Sequence, residues 1–188
     1  MSTRDEDLTP DVRNRQRPLR EKYRESPQAA WVTDRASIQS ENLHNPLRGN
    51  VSAGSVSKTN IAFSVHRSIG GSQDAPVPGD LLCAALASCQ ESSLRMVANV
   101  YGIVITALSV DVKAHVDVRG TLGMSSLVPV GFQLIEVEAN LALAPGTSAE
   151  RVRHLRRAAE RACVVLQTLR GGVDVRLDIN ISGSEEAS

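Results

Sequence analysis

The sequence predicts an α+β protein, with antiparallel sheet packed against two long helices. Three observations carry this. Residues 108–118 alternate strictly, with Leu108, Val110, Val112, Ala114, Val116 and Val118 on one face and Ser109, Asp111, Lys113, His115 and Asp117 on the other. Ile135, Val137, Ala139, Leu141 and Leu143 repeat the pattern against Glu136, Glu138 and Asn140. Period-two alternation marks a sheet with one wet face, the habit of antiparallel pairing. Residues 78–102 and 147–169 carry apolar residues at helical spacing instead, one helix before these strands and one after.

Taken in order, residues 1–34 read as an N-terminal extension, rich in charge and poor in apolar residues, and residues 35–188 as the folded domain. Pro18 is a candidate first residue of a short helix, and Trp31 and Val32 are candidate anchors. The extension is either flexible or wrapped on a neighbouring subunit. Residues 36–56 suit short strands with a turn. Residues 61–67 alternate, placing Ile61, Phe63 and Val65 on one face; Arg67 falls there too, an expensive place for an unpaired guanidinium, unless the strand ends first and leaves it solvated. Residues 68–77 form a Gly/Pro loop.

The helix over 78–102 has Asp80 as a side-chain cap and Gly102 as its stop. Its stripe is Leu82, Ala85, Leu86, Cys89, Ser93, Met96, Val97 and Val100. Its first half carries no charge on any face, so it should be enclosed on all sides. Phe132 and Leu134 fall out of phase with the strand they precede, which suggests a bulge. Thr147 and Glu150 fit a capping box for one continuous helix to about residue 169, closed by Gly171 and Gly172. Residues 173–181 alternate once more as a last strand, and a polar tail follows.

The formal net charge is +0, which supplies no electrostatic case for nucleic acid or a membrane surface. The arginines between 151 and 161 read as a solvated helix face. No apolar run approaches the roughly 18 residues of a bilayer span, and the N-terminus lacks a signal-peptide core. The expected compartment is the cytoplasm. Three cysteines are too few for a disulfide scaffold, and none has zinc spacing, so no metal site is expected. Cys83 lies roughly 120° around the helix from Cys89 and reads as core. Periodicity alone leaves Cys89 open between a packing thiol and a reactive one. Cys163, on the inward stripe of the second helix, is its candidate partner.

The run PVPGDLLCAALASC through RMVANVYGI, with AERACVVLQTL downstream, resembles the OsmC/Ohr family of osmotically inducible and organic hydroperoxide resistance proteins. That family carries P-E-x-L-x-x-A-x-x-x-C on a central helix and a second Cys on a later one. The resemblance implies an OsmC-like fold, an intertwined homodimer with two long helices at its centre, and sites at the subunit interface. It implies a thiol-dependent peroxidase for oxidative-stress defence. Cys89 would be oxidised to a sulfenic acid by an organic hydroperoxide, and Cys163 would resolve it as a disulfide. An external dithiol, in this family often a lipoyl protein, would reduce that bond with no bound cofactor.

In that family an upstream Arg pairs with the reactive Cys and with the motif Glu. Arg67 is the candidate here. Gly79 stands where the Glu belongs, and Asp80, one residue on, is either its substitute or only a cap. Cys163 is followed by Val-Val-Leu rather than Pro-Val-Ser. These departures keep a second reading open, a non-catalytic OsmC-like dimer that binds a small apolar ligand.

Overall fold

The computed structural model describes residues 11–40 and 42–182. It contains two antiparallel sheets. The first runs in the order β1 (Ala36–Ser37), β2 (Arg48–Ala53) and β3 (Thr59–Ser64); the second pairs β4 (Ile105–His115) with β5 (Leu134–Leu143). Between the sheets in sequence runs helix α2 (Pro78–Val100). It packs on β4 and against α4 (Ala149–Ala162) and α5 (Val164–Gly171). The core is small. Leu94, Ala98, Ile103, Leu155 and Ala159 are buried together, covered by Leu108 and Val110 of β4 and by Leu141 and Leu143 of β5. No helix among the described residues is long and apolar enough to cross a membrane.

The α+β class and both alternating strands are present, and several local expectations are corrected. β4 ends at His115 rather than running on, because the Asp117 side chain accepts from the Arg119 amide and turns the chain into α3 (Val118–Thr121). The register irregularity lies between Ile105 and Ala107, at the far end of the β4–β5 ladder from Phe132 and Leu134. The predicted single helix after Gly146 is two. Cys163 adopts an extended conformation at the joint (φ −77°, ψ 100°). Its N-cap is Ser148, which accepts from the Arg151 amide, while the Thr147 hydroxyl donates to the Ala144 carbonyl.

At the other end of the chain, α1 (Val12–Glu25) is longer than expected and holds Pro18 in its interior. The amide of Val12 donates to Asn99 Oδ1 at 2.9 Å, and Arg13 Nη2 donates to the Val100 carbonyl at 2.6 Å. From α4, Arg151 Nη2 donates to the Tyr101 carbonyl at 2.6 Å. Two guanidiniums thus satisfy the last carbonyls of α2, at the negative end of its dipole. Trp31 and Val32 are not anchors in this chain; they are 87% and 78% exposed. The first ten residues of the expected extension lie outside the described residues, as does most of the polar tail.

The last strand is the largest departure. Residues 173–181 pair with no strand among the described residues. Val173, Val175, Leu177, Ile179 and Ile181 recur at every second position, and all five are exposed. Helix α2 is likewise not enclosed on all sides, since Ala84, Ala85 and Ser88 are exposed. Its buried residues, Leu86, Gln90, Ser93, Leu94 and Ala98, form a stripe turned slightly from the predicted one, which leaves Met96 exposed. The chain presents 15295 Å² to solvent. A compact monomer of 20.2 kDa would present about 8,800 Å².

Candidate active site

The break between α4 and α5 brings two cysteines together. Cys163 is fully buried at that joint, and Cys89 on α2 is near enough to act on its thiol. Cys89 is half-buried. Neither cysteine is in a disulfide in this structure. Burial pushes the Cys163 thiol above its ordinary value, and the neighbouring Cys89 pushes it further. Against this, the amide N–H groups of Leu166 and Val165, in the first turn of α5, approach the sulfur and pull its pKa down. They form no side-chain cap hydrogen bond with Cys163. The joint is braced from outside the core. Gln167 Nε2 donates to the Glu160 carbonyl at 2.8 Å, and Arg170 Nη1 pairs with Glu160 Oε1 at 2.5 Å.

The other predicted site residues lie elsewhere. The strand expected to carry Arg67 inward ends at Ser64; Arg67 opens a 3₁₀ turn, Arg67–Ile69, and is exposed. Among the described residues its guanidinium has no hydrogen-bond or ion-pair partner, Cys89 included. The upstream arginine with a carboxylate partner is Arg48, paired with Asp74. Asp80 lies at the third position of α2, not at its N-cap, which is Val77; its Oδ2 accepts from the Val77 amide at 2.9 Å. Its charge, after burial, raises the thiol of Cys83. Glu91 pairs with Arg95 at 3.2 Å, as an i,i+4 partner should.

Cys83 is not closed core. It is half-buried and lines a mostly apolar cavity of about 710 Å³ at the start of α2, with His66, Gly79, Leu82 and Phe132. A second groove of about 950 Å³ runs between α2, β5 and the α4–α5 pair, with Leu86, Gln90, Leu94, Leu155 and Leu166 among its walls. Phe132 lines both and stands between them. Sequence reasoning missed Gln90. Its signal was there, a polar residue four positions from both Leu86 and Leu94 on an apolar stripe.

Comparison with known proteins places the chain. The family described as OsmC-like protein matches residues 71–178, which include both thiols. An organic hydroperoxide resistance protein of Legionella pneumophila is 26% identical over 81% of this chain and 99% of its own, with a TM-score of 0.52. An organic hydroperoxide resistance protein of Elizabethkingia anophelis, solved with thiocyanate bound, is 22% identical over 76% and 91%, with a TM-score of 0.55. An OsmC-like protein of unknown function from Vibrio cholerae shares the fold at 8% identity over 73% and 94%, with a TM-score of 0.60. No curated protein matches the chain.

Proposed function

Because the chain belongs to the OsmC-like protein family, we propose that it is a thiol peroxidase for organic hydroperoxides, with Cys89 as nucleophile and Cys163 as resolving thiol. The observation that supports the reading is the nearness of Cys89 to the buried Cys163 at the α4–α5 break, close enough for one thiol to act on the other. The thiolate of Cys89 attacks the terminal peroxide oxygen; the O–O bond breaks, the sulfur becomes a sulfenic acid, and the expelled alkoxide takes up the proton that the thiol shed and leaves as the alcohol. Cys163 then displaces the sulfenic oxygen as water and closes a disulfide. An external dithiol, of the lipoyl type, takes the oxidising equivalents away and restores both thiols. The sequence is a balanced two-electron cycle that needs no bound cofactor.

The working form is a homodimer. The exposed apolar ladder over 173–181 and the excess of accessible surface support it. An intertwined partner that takes this ladder into its sheet would also cover the open flank of α2. The compartment assigned in this reading is the cytoplasm, where external dithiols keep such thiols reduced.

The test is mass spectrometry after one equivalent of an organic hydroperoxide. Cys89 and Cys163 should be linked within one subunit and Cys83 left free. Cys163→Ser should stall at a sulfenic acid that dimedone traps, and Cys89→Ser should consume no peroxide. Free thiols throughout would reject the reading. A specific observation favours the alternative in that event: Gly79 supplies no carboxylate, and Arg67 is remote from the thiols in its contacts. The protein would then be a non-catalytic dimer that binds a small apolar ligand.

A further inference from the structure

Helix α4 carries five arginines against two glutamates. Glu160 is taken by Arg170, and Glu150 stands in the first turn, where it complements the helix dipole. Arg153, Arg157 and Arg161 fall at i, i+4 and i+8, on the side of α4 away from the buried Leu155 and Ala159. All three are exposed, and none has an ion-pair partner among the described residues. Like charges at this spacing repel one another, whereas a solvated face gains from opposite signs, as Glu91 and Arg95 show on α2. The basic surface continues at the other end of α4. Its first turn and the first turn of α1 meet at the last carbonyls of α2, through Arg151 and Arg13, and α1 adds six Arg and Lys against two Glu. A chain with a formal net charge of +0 thus places about half of its basic residues on two helices that converge. The face stays outside the homodimer proposed above, because a two-fold contact would set it against its own copy and bury unpaired guanidiniums.

We propose that the arginine face of α4, continued by α1, docks an acidic protein that carries the external dithiol. The proposal rests on the peroxidase reading and names the partner of that same site. Arg161 precedes Cys163 by two residues, about 3 Å along the helix axis, and Arg153 stands about 15 Å away on the same row. A free small dithiol needs no such row. A folded carrier with surface carboxylates matches it, since guanidinium and carboxylate pair in a bidentate fork. No large apolar side chain of α4 is exposed to anchor a partner permanently. Such an interface is polar, small and quick to release, which suits a carrier that delivers one dithiol per cycle. The step balances. One carrier thiolate attacks the Cys89–Cys163 disulfide and forms a mixed disulfide, releasing one cysteine. The second carrier thiol displaces the other cysteine and closes the carrier's own disulfide. Two electrons and two protons pass from the dithiol to the two cysteines.

The full-length protein is oxidised with one equivalent of cumene hydroperoxide, and its reduction is followed by alkylation and mass spectrometry. The probes are short peptides bearing dihydrolipoyl-lysine flanked by Glu, by Gln or by Lys. At low salt the Glu peptide should reduce the disulfide at least about tenfold faster than the Gln peptide, and the Lys peptide should be slower than both. The Glu advantage should shrink as salt rises. In Arg157→Gln/Arg161→Gln the ratio of Glu-peptide to Gln-peptide rates should approach one. Arg35→Gln/Lys58→Gln, which removes the same charge from exposed positions elsewhere, should keep the parent ratio. The peptide comparison on the parent protein needs no variant, so it decides even where the arginine pair supports folding. Equal rates for the Glu and Gln peptides, an advantage that survives in Arg157→Gln/Arg161→Gln, or one lost equally in Arg35→Gln/Lys58→Gln would each overturn the docking proposal and leave the peroxidase reading standing. So would a weaker homodimer in Arg157→Gln/Arg161→Gln by light scattering, which would make the partner subunit the occupant of the face. No disulfide after peroxide would overturn the docking proposal and the peroxidase reading together.

Discussion

The ring of Phe132 occupies the space that a side chain at position 79 would need. A Cβ built on Gly79 falls 3.0 Å from Phe132 Cζ, closer than ordinary contact. The position where the OsmC/Ohr motif carries a glutamate is therefore an aromatic contact in this protein. Phe132 comes from the loop before β5, so the missing carboxylate and the aromatic ring in its place are one packing arrangement.

That arrangement predicts coupling. Gly79→Glu should be destabilising by about 1–3 kcal/mol through overpacking, less what helix propensity returns. In a Phe132→Ala background the same substitution should be tolerated. Urea unfolding of the two single variants and the double variant should give a coupling of at least about 1 kcal/mol. Additive effects would show that the ring moves aside freely.

Cys163 should make the reduced protein sensitive to alkali. In the unfolded chain its thiol loses a proton near 9.0, and in the folded protein at higher pH, because it is buried beside Cys89. As pH rises past 9.0 the unfolded state sheds a proton that the folded state keeps, so stability falls. Below 9.0 both states hold it, and this group adds no pH dependence. Unfolding at about pH 8 and about pH 10 should show a loss that Cys163→Ala partly abolishes. An unchanged loss would assign it elsewhere, with Cys83 next in line, since its thiol is raised too.

Gln167 should govern the rate of disulfide closure rather than stability. Its amide bridges the α4–α5 break to the Glu160 carbonyl, and the Arg170–Glu160 pair beside it is exposed, worth little by itself. Gln167→Ala should change the unfolding free energy by no more than about 1 kcal/mol. It should lengthen the lifetime of the dimedone-reactive form after peroxide. A sulfenic acid that disappears at the parent rate would show that the joint needs no brace.

The ladder over 173–181 should decide self-association. Burying one such side chain is worth about 1.5–3 kcal/mol. Leu177→Asp, or ending the chain at Gly172, should raise the dimer dissociation constant at least about tenfold, as read by light scattering over a dilution series. A truncated chain that stays dimeric would move the interface elsewhere.

Much of this fold is legible in the sequence because local chemistry determines it. The alternation in β4 and β5 and the Pro-Gly-Asp start of α2 are local signals, and the structure follows them. The departures come from effects that one chain's pattern does not encode. The Ala162–Cys163–Val164 break carries neither Gly nor Pro, so a continuous apolar stripe read as one helix. Arg67 shared the phase of the Ile61–Phe63 face, yet the strand stops at Ser64, whose hydroxyl and amide bond the Ala75 and Pro76 carbonyls and pull the loop across. The alternation at 173–181 reads as a half-buried strand, yet its five apolar residues are exposed and pair with no strand among the described residues.

The same ladder bears on how the protein comes to exist at all. Five apolar side chains in extended phase, on a segment with free backbone donors and acceptors, are a template for any strand that arrives first. In the homodimer proposed above, assembly would be a second-order step in competition with aggregation, which is also concentration-dependent. Refolding yield should peak at an intermediate protein concentration, where correct pairing outruns local opening but not yet indiscriminate pairing. If two chains exchange these segments, as that dimer requires, separating them would require unfolding, so mixed dimers of tagged and untagged protein should form during synthesis and not on later mixing.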